Sequence, residues 1–165
     1  YDFVSHWYIP VIRELVTCKD YNNDPQWIAD RIVPSVTLAQ VKKSITLLQT
    51  LGLITYDESN NHWKQTNRTI STPSEVLSVA AINYHINTIE LGKESLSRFS
   101  AQQRDVRAVT LGLPKSKVPE LKSMIETFWS DLLSFANEMH DVEQVMQVNI
   151  QMFPMSKDDN CDKKN

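Results

Sequence analysis

Residues 37 to 54, TLAQVKKSITLLQTLGLI, carry the strongest structural signal in the chain. Thr37 can serve as the N-cap of a helix, and Gln40 three residues later completes a capping box, in which each residue satisfies a backbone N–H of the other. Apolar residues then recur at spacings of three and four, which places them on one face of the helix: Leu38, Val41, Ile45 and Leu48. Gly52 follows, and glycine suits the left-handed turn that ends a helix. The stretch therefore predicts a capped amphipathic helix with a defined end.

The residues before this helix predict two more helices. Apolar residues at helical spacing indicate a helix from Phe3 to Val16, either kinked at Pro10 or starting near it. Asp24 and Pro25 form the start of a short second helix. The aspartate can accept hydrogen bonds from exposed backbone N–H groups, and proline suits the first helical position.

Two short strands are predicted after the capped helix. They run from Leu53 to Asp57 and from His62 to Thr66, with polar turn-forming residues between them. Three helices followed by a hairpin is the order of a winged helix, in which the third helix is the candidate for the DNA major groove. Residues 1–71 are therefore predicted to form a winged helix-turn-helix domain.

A second unit is predicted over residues 72–155. Thr72 and Pro73 again suit a helix start, and this long helix could extend to about Arg98. The elements expected after it are a strand at Val106 to Leu113, a helix at Lys117 to Met139 and a strand at Gln144 to Phe153. The predicted fold class is α+β and mainly helical, with a winged helix-turn-helix followed by a long helix and a strand-helix-strand unit. The polar residues 156–165 predict a disordered tail.

The last predicted strand indicates that this unit has a partner. Its apolar residues, Met146, Val148, Ile150 and Met152, alternate with Gln147, Asn149 and Gln151. Such alternation is typical of a half-buried strand, whose polar face meets solvent or an interface. Two strands around one helix do not make an independently stable sheet, because about three strands or further helix packing are needed. We therefore expect a homodimer, with residues 72–155 serving dimerisation or signal reception.

The polar face of the capped helix is a candidate surface for double-stranded DNA, because its side chains can contact base edges or phosphates. With two basic residues on or after the hairpin, the predicted contacts are Gln40, Lys42, Lys43, Thr46, Lys64 and Arg68. The alternative is that these residues are only the solvated side of an amphipathic helix, as polar residues on such faces commonly are. A basic surface that joins the lysines and Arg68 would favour DNA, whereas an apolar or acidic surface would favour a protein partner.

Charge gives little support to DNA binding by a single copy. Residues 1–72 contain seven Lys and Arg and seven Asp and Glu, and the whole chain has a net charge of -3. Binding to phosphate usually brings a basic excess. A protein interaction or dimerisation module without direct DNA contact is therefore the second hypothesis, although a dimer would double the phosphate contacts.

Composition and motifs argue against an enzyme. The histidines His6, His62, His85 and His140 stand alone, and three glycines are too few for a phosphate-binding loop. The cysteines, Cys18 and Cys161, have no zinc spacing. We expect no catalytic activity, no cofactor and no metal. A small-molecule sensor is a third hypothesis, which would require a closed pocket near the long central helix.

The chain is predicted to be cytoplasmic and to have no membrane contact. At 41% apolar and 22% charged residues, its composition is that of a globular protein. No apolar run approaches the roughly 18 residues that a spanning helix needs, and no signal peptide is evident.

Four segments resemble an uncharacterised bacterial family, a domain of unknown function whose members are predicted winged-helix transcriptional regulators. They are FVSHWYIPVIREL at Phe3 to Leu15, DPQWIADRI at Asp24 to Ile32, LLQTLGLI at Leu47 to Ile54, and QVNIQMFPMSK at Gln147 to Lys157 with its FPxSK-like ending. The stretch from Ile45 to Ile54 also resembles the end of the recognition helix and the first wing strand in bacterial winged-helix regulators. The resemblance implies DNA-dependent regulation and a further N-terminal segment before Tyr1, and it implies no particular site residues.

Overall fold

The computed structural model describes residues 2–66 and 79–157. In the first range, a short 3-10 helix at Asp2–Val4 precedes three helices and a hairpin, namely α1 (Tyr8–Leu15), α2 (Pro25–Ala29), α3 (Leu38–Thr50), β1 (Ile54–Asp57) and β2 (His62–Gln65). The second range contains α4 (Val79–Arg98), a 3-10 helix at Lys115–Lys117 and α5 (Val118–Asn137). The chain is thus mixed α and β and about half helical. None of the described helices combines the length and apolar character needed to cross a bilayer.

Proline and a polar cap define the starts of the first two helices. α1 begins at Tyr8, which puts Pro10 in the first turn, where its missing N–H removes no helical hydrogen bond. The predicted start near Pro10 is therefore confirmed. In α2, Asp24 Oδ1 accepts a hydrogen bond from the Gln26 backbone N–H at 3.0 Å, and Pro25 is the first helical residue.

The predicted cap and stop of α3 are present, and its predicted buried stripe is present in part, since Leu38 and Ile45 are only half-buried. Gln40 N donates to Thr37 Oγ1 at 3.2 Å while Thr37 N donates to Gln40 Oε1 at 2.8 Å, which is a complete capping box. Val41 and Leu48 are fully buried. Gly52 has a φ of +68°, a left-handed conformation that favours glycine, and it ends the helix where predicted.

The hairpin follows α3 directly. β1 and β2 are antiparallel, with Ile54 opposite Gln65 and Asp57 opposite His62. The Leu53 N–H donates to Leu48 O at 2.9 Å, so the chain enters the hairpin from the last turn of α3. Both predicted strands are confirmed to within one residue.

The first range encloses a well-packed core. α1 and α2 both pack against α3. The buried apolar residues are Tyr8, Ile9, Ile12, Leu15, Val16, Cys18, Tyr21, Ile28, Ile32, Val41, Leu48 and Ile54. Val142 and Val145, from far along the chain, pack against the edge of this core and hold the start of the C-terminal segment there.

The prediction of two strands after the long helix is wrong. Residues 104–114 and 142–154 contain no helix, strand, turn or bend in the described structure. A strand exists only where a neighbour pairs with it, and the described part of the chain offers these segments none. The predicted start of the long helix at Thr72 and most of the predicted disordered tail lie outside the described residues.

Candidate nucleic-acid interface

The packing of α3 determines which of its side chains can reach a partner. Val41, Ser44 and Leu48 face the core, and Ser44 Oγ donates to Gln40 O at 2.7 Å, which keeps this hydroxyl inside the helix. Lys42, Lys43 and Thr46 are exposed on the outer side. The structure therefore brings three of the predicted contacts together on one side of one rigid helix.

The hydroxyl of Thr46 is already oriented by the helix. Its Oγ1 donates to Lys42 O at 3.1 Å, and Thr50 Oγ1 likewise donates to Thr46 O at 2.9 Å. With the proton used in this way, the oxygen of Thr46 is left as an acceptor. In a major groove it would suit the amino group of adenine or cytosine.

Gln40 is a weaker reader of bases than the sequence indicated. Its Oε1 accepts hydrogen bonds from Thr37 N at 2.8 Å and from Thr37 Oγ1 at 3.1 Å. A glutamine that recognises adenine uses its oxygen and its amide NH₂ together. Since the cap engages the oxygen, the observed role of Gln40 is to hold the start of α3.

The hairpin of β1 and β2, termed the wing after the predicted fold, gives Lys64 a different electrostatic environment from that of the α3 lysines. Lys64 lies on β2 opposite Thr55, and its Nζ is 3.7 Å from Asp57 Oδ2. Its charge is therefore partly offset by a neighbour of opposite sign. Arg68 lies outside the described residues. The described part of the chain does not assemble the predicted basic patch of Lys42, Lys43, Lys64 and Arg68.

The turn of the wing carries negative charge. Asp57 Oδ1 accepts hydrogen bonds from the Ser59 N–H at 3.1 Å and the Ser59 hydroxyl at 2.6 Å, and Asp57 Oδ2 accepts from Asn60 Nδ2 at 3.0 Å. These bonds, those from Ser59 first, hold the pKa of Asp57 well below its usual range. Glu58 beside it is exposed. Two neighbouring acidic side chains at this turn disfavour close approach of phosphate, which counts against the wing tip as a DNA contact.

The sequence did not reveal how firmly the wing is attached to the helices. Trp63 Nε1 donates to Asn23 Oδ1 at 2.6 Å, and the Trp63 ring packs edge-on against Tyr56 with centroids 5.2 Å apart. Asn23 has a φ of +68°, which asparagine tolerates better than most residues. The polar loop before α2 thus positions the wing.

Arg13 makes a second attachment that the sequence did not indicate. It is fully buried, its Nε donates to Leu53 O at 3.3 Å, and Gln65 Nε2 donates back to Arg13 O at 3.3 Å. Burial lowers the pKa of the Arg13 guanidinium. α1 therefore binds β2 and the residue that precedes β1, which fixes the hairpin relative to α3.

Other polar side chains in the described ranges make structural contacts. Arg107 binds Asp105 through two hydrogen bonds of 2.7 and 2.8 Å, and both side chains are exposed. His62 contacts the Thr17 carbonyl at 3.1 Å. Within the described ranges, no group of three His, Cys, Asp or Glu side chains is placed to hold a metal ion.

Comparison with known proteins identifies a family. A family model described as a domain of unknown function, DUF4423, matches residues 1–155. The chain therefore belongs to this family, and the resemblance seen in the sequence is confirmed at that level. No curated protein and no solved structure matches the chain. A regulatory role and a bacterial origin stay predictions.

Proposed function

We propose that this member of the DUF4423 family is a transcriptional regulator that binds duplex DNA through the outer face of α3. The observation that carries the proposal is a rigid, capped helix with Lys42, Lys43 and Thr46 exposed along one side. Three helices followed by a hairpin, with α1 and α2 packed behind α3, match the order of a winged helix.

The dimensions of α3 suit a major groove. Its 13 residues span about 20 Å, and the groove of B-DNA is about 12 Å wide, so two turns of the helix can lie within it. Lys42 and Lys43 are adjacent, so their ammonium groups diverge and would reach phosphates. Thr46, one turn further on, points its acceptor oxygen outward and would meet base edges.

Affinity per copy is expected to be low. Two lysines neutralise two phosphates, and each contact contributes a slope of about -0.9 to the dependence of log K on log salt concentration. The acidic turn at Asp57 and Glu58 would oppose close approach of the wing. In this proposal α3 supplies the main contact and the wing supports its position.

A protein interaction module is the alternative, and two observations favour it. The wing tip is acidic, and Lys64 is near Asp57 rather than available as an isolated cation. In addition, the two large apolar side chains exposed within residues 2–66, Val33 and Leu51, lie just before and just after α3. An apolar residue at each end of the helix would suit a protein partner.

The test is a salt titration of the complete chain with random-sequence duplex DNA. The variant Lys42→Ala/Lys43→Ala should bind more weakly, with a slope shallower by about 2. A matched control, Lys19→Ala/Lys93→Ala, removes the same charge from exposed sites elsewhere and should change the slope little. Equal slopes for the two double variants would reject α3 as the phosphate contact. Absence of binding at low salt would favour the interaction module.

A further inference from the structure

Two straight segments of the C-terminal part have unused backbone hydrogen-bonding groups. These segments, residues 104–113 and 142–154, make no backbone-to-backbone hydrogen bond with any other described residue. In the first segment, Val109, Leu111 and Leu113 alternate with Thr110 and Gly112, so that the apolar side chains share a face if the chain is extended. Rows of free N–H and C=O groups beside apolar side chains are the usual template for pairing with another chain.

Polar side chains of the second segment contact α4. Asn149 Nδ2 donates to Thr88 O at 2.7 Å, and the Gln147 side chain hydrogen-bonds to Tyr84. Val148, which lies between these two residues, is 43% exposed, and Ile150, which follows Asn149, is 37% exposed. The alternation of polar and apolar residues is therefore present, but the side that contacts the protein is polar rather than apolar. Gln147 and Asn149 face the chain's own helix, whereas Val148 and Ile150 face outward.

Both long helices also leave apolar side chains uncovered. On α4, Ala81 and Thr88 are buried, whereas Ile82, Ile86 and Ile89 are 43–58% exposed. None of the twenty residues of α5, all of them described, is buried, and Phe128 and Met124 are more than half exposed. The main contact of α5 among the described elements is the short 3-10 helix that precedes it. Each helix thus presents an apolar stripe that the described part of its own chain does not cover.

From these features we infer that residues 79–157 form half of a shared domain, which a second copy of this chain completes. The straight segments of one copy pair with those of the other, and the uncovered isoleucines of α4 and aromatic residues of α5 pack in the interface. This inference does not depend on DNA binding. If both hold, the dimer carries two copies of α3.

The amount of uncovered apolar surface suits an obligate dimer. Nineteen of the twenty-one large apolar side chains that are exposed in the described chain lie in residues 79–157. At up to about 100 Å² each, half of what a large aromatic side chain carries, they amount to at most roughly 1,900 Å² per copy. Two copies would bury up to roughly 3,800 Å², within the range of about 2,000–5,000 Å² for permanent interfaces. Monomeric proteins rarely expose apolar patches beyond a few hundred Å².

Strand number and charge both favour a second copy as the occupant. Each copy supplies two unpaired segments, so a pair supplies four, above the minimum of about three strands for a stable sheet. Residues 79–157 contain eight Lys and Arg and nine Asp and Glu, a balance of -1. A net charge this close to zero does not oppose association of two copies. It also gives no attraction to a nucleic acid or an anionic membrane. A two-fold arrangement lets each segment both provide and receive a neighbour.

The test is light scattering of the complete chain over a range of concentrations. Two copies of 19.0 kDa give a particle of 38.0 kDa. Phe128→Asp should shift the mass towards that of one copy. Thr127→Asp puts the same charge on the preceding residue of α5 and should leave the dimer intact. A second measurement needs no variant, since an affinity-tagged copy co-expressed with an untagged copy should retain the untagged one at near-equal amount.

Three results would overturn the inference. One is a mass of 19 kDa at all concentrations up to about 100 μM, well above the dissociation constants of permanent interfaces. Another is loss of the untagged copy during purification of the tagged one. The third is an assembly larger than two copies, which would mean that the exposed surfaces join in an open series rather than in a closed pair.

Discussion

The two described regions treat their apolar residues in opposite ways. Residues 2–66 bury twelve of the thirteen apolar core residues and expose two large ones, while residues 79–157 bury only Ala81 and expose nineteen. Both regions contain amphipathic helices, so the difference does not arise from the pattern of apolar residues along the helices. It teaches that α1, α2, α3 and the hairpin cover one another, whereas α4, α5 and the straight segments do not.

Loop length explains part of this difference. In the first region, short connections bring three helices and a hairpin around a single core, and Arg13 and Asn23 attach the wing to it. In the second region, two 20-residue helices are separated by a long segment whose only regular structure is the short 3-10 helix at Lys115–Lys117. Its polar contacts, such as Asn149 with Thr88, orient one segment without covering either helix.

The largest expected effect is at the centre of the first region. Leu48 is fully buried, so Leu48→Ala should lower the free energy of unfolding of this region by about 2–5 kcal/mol, through lost burial and the cavity left behind. Urea unfolding followed by far-UV circular dichroism measures it. This loss of stability should not depend on protein concentration. Any loss caused by Phe128→Ala on α5 should depend on it, because Phe128 is proposed to lie between two copies. A loss below about 1 kcal/mol would mean that the first region is not packed as described.

A smaller effect is expected at the start of α3. Thr37→Ala removes the side-chain half of the capping box and should cost about 1 kcal/mol of stability. The control is Thr46→Ala on the exposed face of the same helix, whose effect should stay within about 0.5 kcal/mol. The same denaturation experiment compares them, and equal effects would show that the cap adds nothing beyond helix propensity.

The smallest effect is expected at the wing turn. Asp57→Asn should speed amide hydrogen exchange at Ser59 and Asn60, because the carboxylate that accepts hydrogen bonds from both backbone N–H groups becomes a neutral amide, whose oxygen is a weaker acceptor. Since the folded pKa of Asp57 is lowered, its stabilising contribution is present above the ordinary carboxyl pKa of about 3.9 and is lost as pH falls through the folded value.

Glu58→Gln is the matched control for this turn. It removes the same charge from the neighbouring exposed residue, so the exchange rates at Ser59 and Asn60 should stay close to those of the unaltered chain. NMR exchange rates from neutral to acid pH measure both variants. Acceleration by Glu58→Gln equal to that by Asp57→Asn would show that charge, not hydrogen bonding, orders the turn.

Local signals predicted local structure well. The cap at Thr37 and Gln40, the stop at Gly52 and the hairpin strands depend on neighbours within a few residues, so their patterns were sufficient. The strands at Val106 to Leu113 and Gln144 to Phe153 were wrong because alternation shows which side chains share a face but not whether the same chain supplies a partner.

The candidate site was predicted in part. Exposure of Lys42, Lys43 and Thr46 followed from helical periodicity, which needs no tertiary information. The cap role of Gln40 was predicted, but its conflict with base reading became apparent only from the hydrogen bonds of its side-chain oxygen. The burial of Arg13 was not predictable, since arginine in an amphipathic helix usually lies at the surface. The contact between Lys64 and Asp57 depends on the strand register.

Hydrogen–deuterium exchange across a dilution series tests the contrast between the two regions most directly. We predict that amides in α1, α3 and the hairpin stay protected at every concentration. Amides of residues 105–113 and 145–153 should be protected in concentrated protein and become faster on dilution, as a second copy is lost. Fast exchange of both segments at all concentrations, or protection that persists in a particle of one-copy mass, would contradict a C-terminal domain completed by a second chain.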